Sequence, residues 1–216
     1  NNATYVAYKS ANKKIEITKT KYVVVAVTKE NGLKIGDEIL EVEGKKVSSL
    51  EMIKQTIEEK NVGDAINLKI KRNNKEQEVV AKIEKEENKK ALGVMIVTNY
   101  NLKPEKEVKL KFKQSESGSS GGLMMSLSIY SAISGKNILK GRNIAGTGTI
   151  DMNGNVGEIG GIKYKIMGAV KNKMDVVLVP SANYKEAIKV KEAKNYKIKI
   201  VKVDTFMDAI DYLTTN

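Results

Sequence analysis

Apolar residues along this chain fall into short blocks whose period changes repeatedly. KYVVVAV (21–27) is a β-branched run and predicts a strand. After the turn region TKENGLKIGDEI, ILEVEG (39–44) alternates apolar and polar positions, as a half-buried strand does. In SSLEMIKQTIEEKN (48–61), serines precede Leu50, Ile53 and Ile57 at helical spacing, predicting a capped helix that stops near Gly63. AINLKIKRNNKEQEVVAKI (65–83) reads as two alternating strands about the Asn73-Asn74 turn. The charged stretch EKEENKK (84–90) has no apolar period and is the candidate linker.

Beyond it the pattern becomes more regular. LGVMIV (92–97) and VKLKFK (108–113) are strand-like, and SGSSGGLMMSLSIYSAISG (117–135) leads into a helix with Leu123, Leu127 and Tyr130 on one face. Met124 and Ile133 flank that face, and Ser134-Gly135 supplies a stop. The strand-like MDVVLVP and YKIKIVKV then alternate with the helix-like IKYKIMGAVKNK, NYKEAIKVKEA and TFMDAIDYLTT. Such alternation predicts an α/β domain of roughly 125 residues. The whole is α+β, divided as an N-terminal segment (1–14), a β-rich domain (15–88) and an α/β domain (89–216).

Composition narrows the chemistry. Apolar residues make up 41% of the 216, enough for a real core. No apolar run approaches the ~18 residues of a membrane span, and the first residues lack the apolar centre of a signal peptide. The net charge of +12 invites a nucleic-acid reading, but its distribution argues against one. Residues 1–90 hold 19 basic and 15 acidic side chains, and residues 91–216 hold 19 and 11, mostly interspersed. With only two arginines and few aromatics, bidentate phosphate contacts and base stacking have little to work with. Zero cysteine removes thiol catalysis and cysteine–zinc sites. Zero histidine removes the Ser-His-Asp triad and any histidine-held metal, so a hydrolase here must take lysine or a carboxylate as its base.

Against that background the serine-glycine stretch stands out. Its serines precede Leu123 and so lie at a helix start, where free N–H groups and the positive dipole end stabilise an anion. A serine there is placed for attack on a carbonyl, and it is equally well placed as an ordinary helix cap. Further on, Lys163 and Lys165 flank the apolar face of Ile162, Ile166, Ala169 and Val170, and periodicity leaves both open. Asp151 and Asn153-Gly154 read as hairpin-turn residues.

Two family resemblances rest on these segments. LKIGDEILEVEGKKV (33–47), SLEMIKQTI and GDAINLKIKRNNKE together resemble a bacterial-type PDZ domain, although TKENG ahead of them is shorter than usual. That resemblance implies binding of an extended peptide by strand addition beside the helix. IAGTGTIDMNGNVGEIGGIKYKIMGA, followed by VVLVP and Asn183 and preceded by GSSGGLM, resembles the proteolytic domain of the Lon family. The resemblance implies Ser120 as nucleophile, Lys165 as its base and Thr147 as the residue orienting that lysine, with Gly118, Ser119 and Gly121 shaping the nucleophile's loop. An amine acts as general base only when neutral, a form that burial among apolar walls favours.

The order of the two domains resembles the membrane-anchored PDZ–Lon branch of bacteria, which lacks the ATPase module. It implies an ATP-independent serine endopeptidase acting on protein or peptide substrates, with no cofactor, metal or nucleic acid. It also implies an anchor upstream of these residues, the extracytoplasmic face of the cell membrane as location, and homo-oligomeric assembly. Two departures stand out. Ser119 replaces the family's proline and is a rival nucleophile, and Ser117 stands where ATP-dependent members often carry aspartate. The altered SSGG motif also suits an alternative, a peptide-binding adaptor whose protease half has decayed.

Overall fold

A computed structural model describes residues 1–109 and 118–215. Ser117 and most of the expected strand at 108–113 lie outside the described residues. The chain packs as two units, residues 17–101 and residues 1–16 together with 102 onward.

The first unit is built on a sheet in the order β5-β4-β2-β1-β8. Its strands are β1 (Ile15–Val27), β2 (Glu38–Val42), β4 (Ala65–Arg72), β5 (Lys75–Lys82) and β8 (Val94–Pro104), with β3 (Lys45–Lys46) beside β2. Strands β4 and β5 pair antiparallel from Ala65↔Lys82 to Arg72↔Lys75. Asn73 and Asn74 turn between them at φ 49° and 65°, the doubly left-handed geometry of a tight hairpin that asparagine tolerates. Helix α2 (Leu50–Glu58) starts at Ser49, whose hydroxyl accepts Met52 N–H at 3.0 Å. Ile53 and Ile57 of α2 pack with Val24, Ile39, Ile66 and Leu68 in the unit's core.

Three features of this unit depart from the sequence expectations. The EKEENKK stretch is a hairpin, β6 (Glu84–Glu86) paired with β7 (Lys89–Ala91), and not a linker. Glu87 turns it at φ 53°, and Lys29 holds Glu84 at 3.1 Å, so charge here is spent on pairing. Helix α2 ends at Glu58, before Gly63, and Asp64 then caps the following turn by accepting Asn61 N–H at 2.7 Å. LGVMIV, grouped by its pattern with the second half, supplies β8, the strand beside β1 at the sheet's end.

The second unit contains a parallel three-stranded sheet, β13-β12-β9, of β9 (Ile144–Gly146), β12 (Val176–Pro180) and β13 (Lys199–Val203). All five residues of β12 are buried, which explains the uninterrupted VVLVP run. Helices α4 (Ile162–Lys171) and α5 (Ser181–Ala193) pack together over one core through Ile162, Ile166 and Ala187. A second core gathers α3 (Gly122–Ser134), α6 (Phe206–Thr215) and α1 (Asn2–Ser10). The first fourteen residues, which the sequence pattern leaves as a plain segment, thus include a helix. Val6, Ala7 and Tyr8 are buried in this core, and the Tyr8 hydroxyl donates to the Lys106 carbonyl. Between these elements a small hairpin, β10 (Thr149–Ile150) with β11 (Val156–Gly157), leads the chain towards α4.

Candidate active site

Ser120 sits in a single 3-10 turn, Ser119–Gly121, that runs directly into α3. The burial of Leu123, Leu127 and Tyr130 orients the helix, and Gly135 ends it in the left-handed region at φ 68°. The turn is fastened to the segment after β9. Gly148 N–H donates to the Ser120 carbonyl at 2.9 Å, and Leu123 N–H donates back to the Gly148 carbonyl at 3.1 Å. A Cβ added at Gly122 would lie 2.9 Å from Ile150 N, so any side chain there would have to push the Ile150 backbone away. Within the turn the first hydrogen bond is Gly121 N–H to the Gly118 carbonyl, leaving the Ser119 and Ser120 N–H groups ahead of the helical ladder.

Lys165 approaches from α4. Its Nζ donates to Ser120 Oγ at 3.1 Å, and the bond is partly buried. Ile162 and Ile166, both fully buried, lock the rotation of α4 so that Lys165 faces the serine while Lys163 is exposed. Lys163 Nζ instead lies 6.0 Å from the centre of the Tyr164 ring. Of the two lysines that periodicity left open, Lys165 is the one whose side chain meets the α3 turn.

The remaining expected residues divide. Thr147 is buried, but its hydroxyl donates to the Ser120 carbonyl at 3.1 Å and does not hold Lys165. The reason is register: Thr147 N–H pairs with the Leu178 carbonyl, continuing the β9 ladder, and this sets the residue beside the serine's backbone. Ser119 is exposed and makes no bond to Lys165; Gly118 and Gly121 bracket the turn through their mutual bond. Asp151 serves the hairpin, its Oδ1 accepting from Asn153 and Asn155 N–H at 2.9 and 2.8 Å. Asn183 carried no role in the sequence reading, yet it is buried and bonded twice to Ile159, just ahead of α4. A cavity of about 340 Å³ opens along α3, and Met124, four residues after Ser120, is part of its wall. Among the described residues no three metal-binding side chains gather.

Comparison with known proteins bears on this geometry. Residues 110–215 match the family described as Lon protease (S16) C-terminal proteolytic domain, and residues 9–83 match the PDZ domain family. The chain carries a Lon-type proteolytic domain preceded by a PDZ domain. Its Lon-type domain is similar to the Lon protease of Mesomycoplasma hyopneumoniae, 36% identical over 96 residues, which is 44% of this chain and 11% of that protein. Lon protease 2 of Borreliella burgdorferi is 30% identical over 118 residues, 53% of this chain and 15% of that protein. These curated relatives are therefore far longer than the stretch they share. No ATPase module lies within these 216 residues. Among solved structures, the PDZ domain of an SdrC-like protein from Listeria monocytogenes is 23% identical, covering 38% of this chain and 93% of that one with a TM-score of 0.35. A PDZ domain from Listeria innocua is 27% identical, covering 35% and 92%, with a TM-score of 0.33.

Proposed function

We propose that the protein is an ATP-independent serine endopeptidase in which Ser120 attacks and Lys165 is the general base. The observation that carries this reading is the 3.1 Å approach of Lys165 Nζ to Ser120 Oγ in a chain without histidine. In its neutral form the amine accepts the serine proton as Oγ bonds to the substrate carbonyl carbon. The resulting oxyanion lies at the start of α3, where the N–H groups ahead of the helical ladder and the positive dipole end favour negative charge. Lys165 then returns the proton to the leaving amine, and water, activated by the same lysine, releases the acyl group from Ser120.

The PDZ domain supplies the substrate-binding arm of this proposal. Strand β8 closes one end of its sheet, and among the described residues no strand pairs with its outer edge. An extended peptide adds to such an edge through main-chain hydrogen bonds. Substrates on this reading are unfolded or flexible protein segments, delivered or gated by that edge. The same domain order supports an anchor outside these residues and an extracytoplasmic location; among the described residues no helix is long and apolar enough to cross a membrane.

Cleavage of casein without nucleotide tests the proposal. The wild-type chain should cut it, and Ser120→Ala and Lys165→Ala should each stop the reaction while leaving circular dichroism unchanged. A folded wild-type chain that cuts nothing but still binds peptide would instead favour the decayed adaptor.

A further inference from the structure

We infer that Asn183 is a positioning residue for Lys165, acting through the Ile159–Gly161 turn; this rests on the Ser120–Lys165 reading above. Asn183 lies in the first turn of α5 and is 3% exposed. Its Oδ1 accepts Ile159 N–H at 2.9 Å, and its Nδ2 donates to the Ile159 carbonyl at 2.9 Å. One carboxamide therefore satisfies both main-chain groups of a buried residue, as a neighbouring strand would.

The two glycines after Ile159 give this clamp its reach. Gly160 and Gly161 have no side chains to restrain them, and Gly161 is left-handed at φ 70°. Helix α4 starts at the next residue, and the Gly161 carbonyl accepts Tyr164 N–H at 3.0 Å and Lys165 N–H at 3.3 Å. The main chain of Lys165 is thus one hydrogen bond from a glycine pair whose entry point is fixed by Asn183. Ile162 and Ile166 set the helix's rotation through packing. The anchored Ile159 sets how far the first turn advances towards Ser120. Releasing it frees two glycines at the point where a displacement of ~1 Å costs about a hundredfold in rate.

The test combines steady-state kinetics with counting of active serines by a fluorophosphonate probe, on the full chain. For Asn183→Ala, kcat per labelled Ser120 should fall about a hundredfold, with KM within about twofold and a displaced pH–rate profile. Measured per folded chain, the double variant Asn183→Ala/Lys165→Ala should be no slower than Lys165→Ala alone, because the two act as a unit. Asn183→Asp keeps the acceptor for Ile159 N–H and loses the donor, and it should fall between wild type and Asn183→Ala; it serves as the primary variant if the alanine form does not fold. A merely structural asparagine would lower the number of labelled serines and the melting temperature but leave kcat per labelled serine and the pH profile at wild-type values. That result would overturn the inference. If Lys165→Ala itself retained wild-type kcat, the dyad reading would fail first, and the two failures are thereby distinguished.

Discussion

At Ser120 the main-chain carbonyl takes two hydrogen bonds, from Gly148 N–H and the Thr147 hydroxyl, while Oγ faces Lys165. The side chain's aim therefore depends on backbone fixed from outside the helix. Thr147→Val keeps the shape and removes one of those bonds. It should cost about 1 kcal/mol in stability, by urea titration, and roughly tenfold in kcat by peptide cleavage. Gly122→Ala should cost about 1–3 kcal/mol, because its methyl meets Ile150 N before the chains can separate. Ser119→Ala, at an exposed position away from the lysine, should cleave at close to the wild-type rate. Periodicity could not choose between Ser119 and Ser120, or between Lys163 and Lys165; the family resemblance alone pointed to Ser120 and Lys165. Both choices depend on which residues a neighbouring element meets, and local period contains no such information.

Among the elements, the loop joining β1 to β2 is held by a charge pair under cover. Asp37 is fully buried, bonded to Arg72 Nε and Nη2 at 2.7 Å each and to Lys34 N–H at 2.8 Å, while Arg72 also donates to the Gly32 carbonyl. Burial by itself would raise the Asp37 carboxyl, but the Arg72 hydrogen bonds, the Lys34 N–H and the nearby positive charges bring it below the ordinary aspartate value. A lowered folded value means the stabilisation is complete above the ordinary carboxylate range, and it is lost as pH falls through the lowered value. Asp37→Asn should therefore flatten the acid limb of this unit's stability curve in denaturant titrations from pH 7 to pH 2. Asp37→Ala, which strands a guanidinium, should cost about 3 kcal/mol at neutral pH. The glycine-aspartate turn, the α2 cap and the Asn-Asn hairpin were legible because each is local chemistry. The β6–β7 hairpin was not, since alternating Glu and Lys look the same in a solvated linker and in a paired exposed ribbon.

Across the whole chain, three sets of buried residues make up two packing units, one in residues 17–101 and two in the other, and the more N-terminal residues do not all belong to the first. Helix α1 gives Val6, Ala7 and Tyr8 to the core that also holds Leu123, Tyr130 and Phe206. Nothing within NNATYVAYKSANKK announces this, because its apolar face is short and its partners lie more than 100 residues away. Tyr8→Ala should destabilise the Lon-type unit by about 3 kcal/mol. Amide exchange should show faster opening of α3 and α6, and unchanged protection in β4 around Ile66 and Leu68. The α/β order of the second half was readable from alternating periods, whereas the assignment of LGVMIV to the first sheet required the pairing partner β1. Fluorophosphonate labelling followed by peptide mapping shows whether Ser120 is the nucleophile and Lys165 its base. One adduct per chain is expected, on Ser120, and it should disappear in folded Lys165→Ala. An adduct on Ser119, or labelling of Ser120 at an unchanged rate without Lys165, would contradict that assignment.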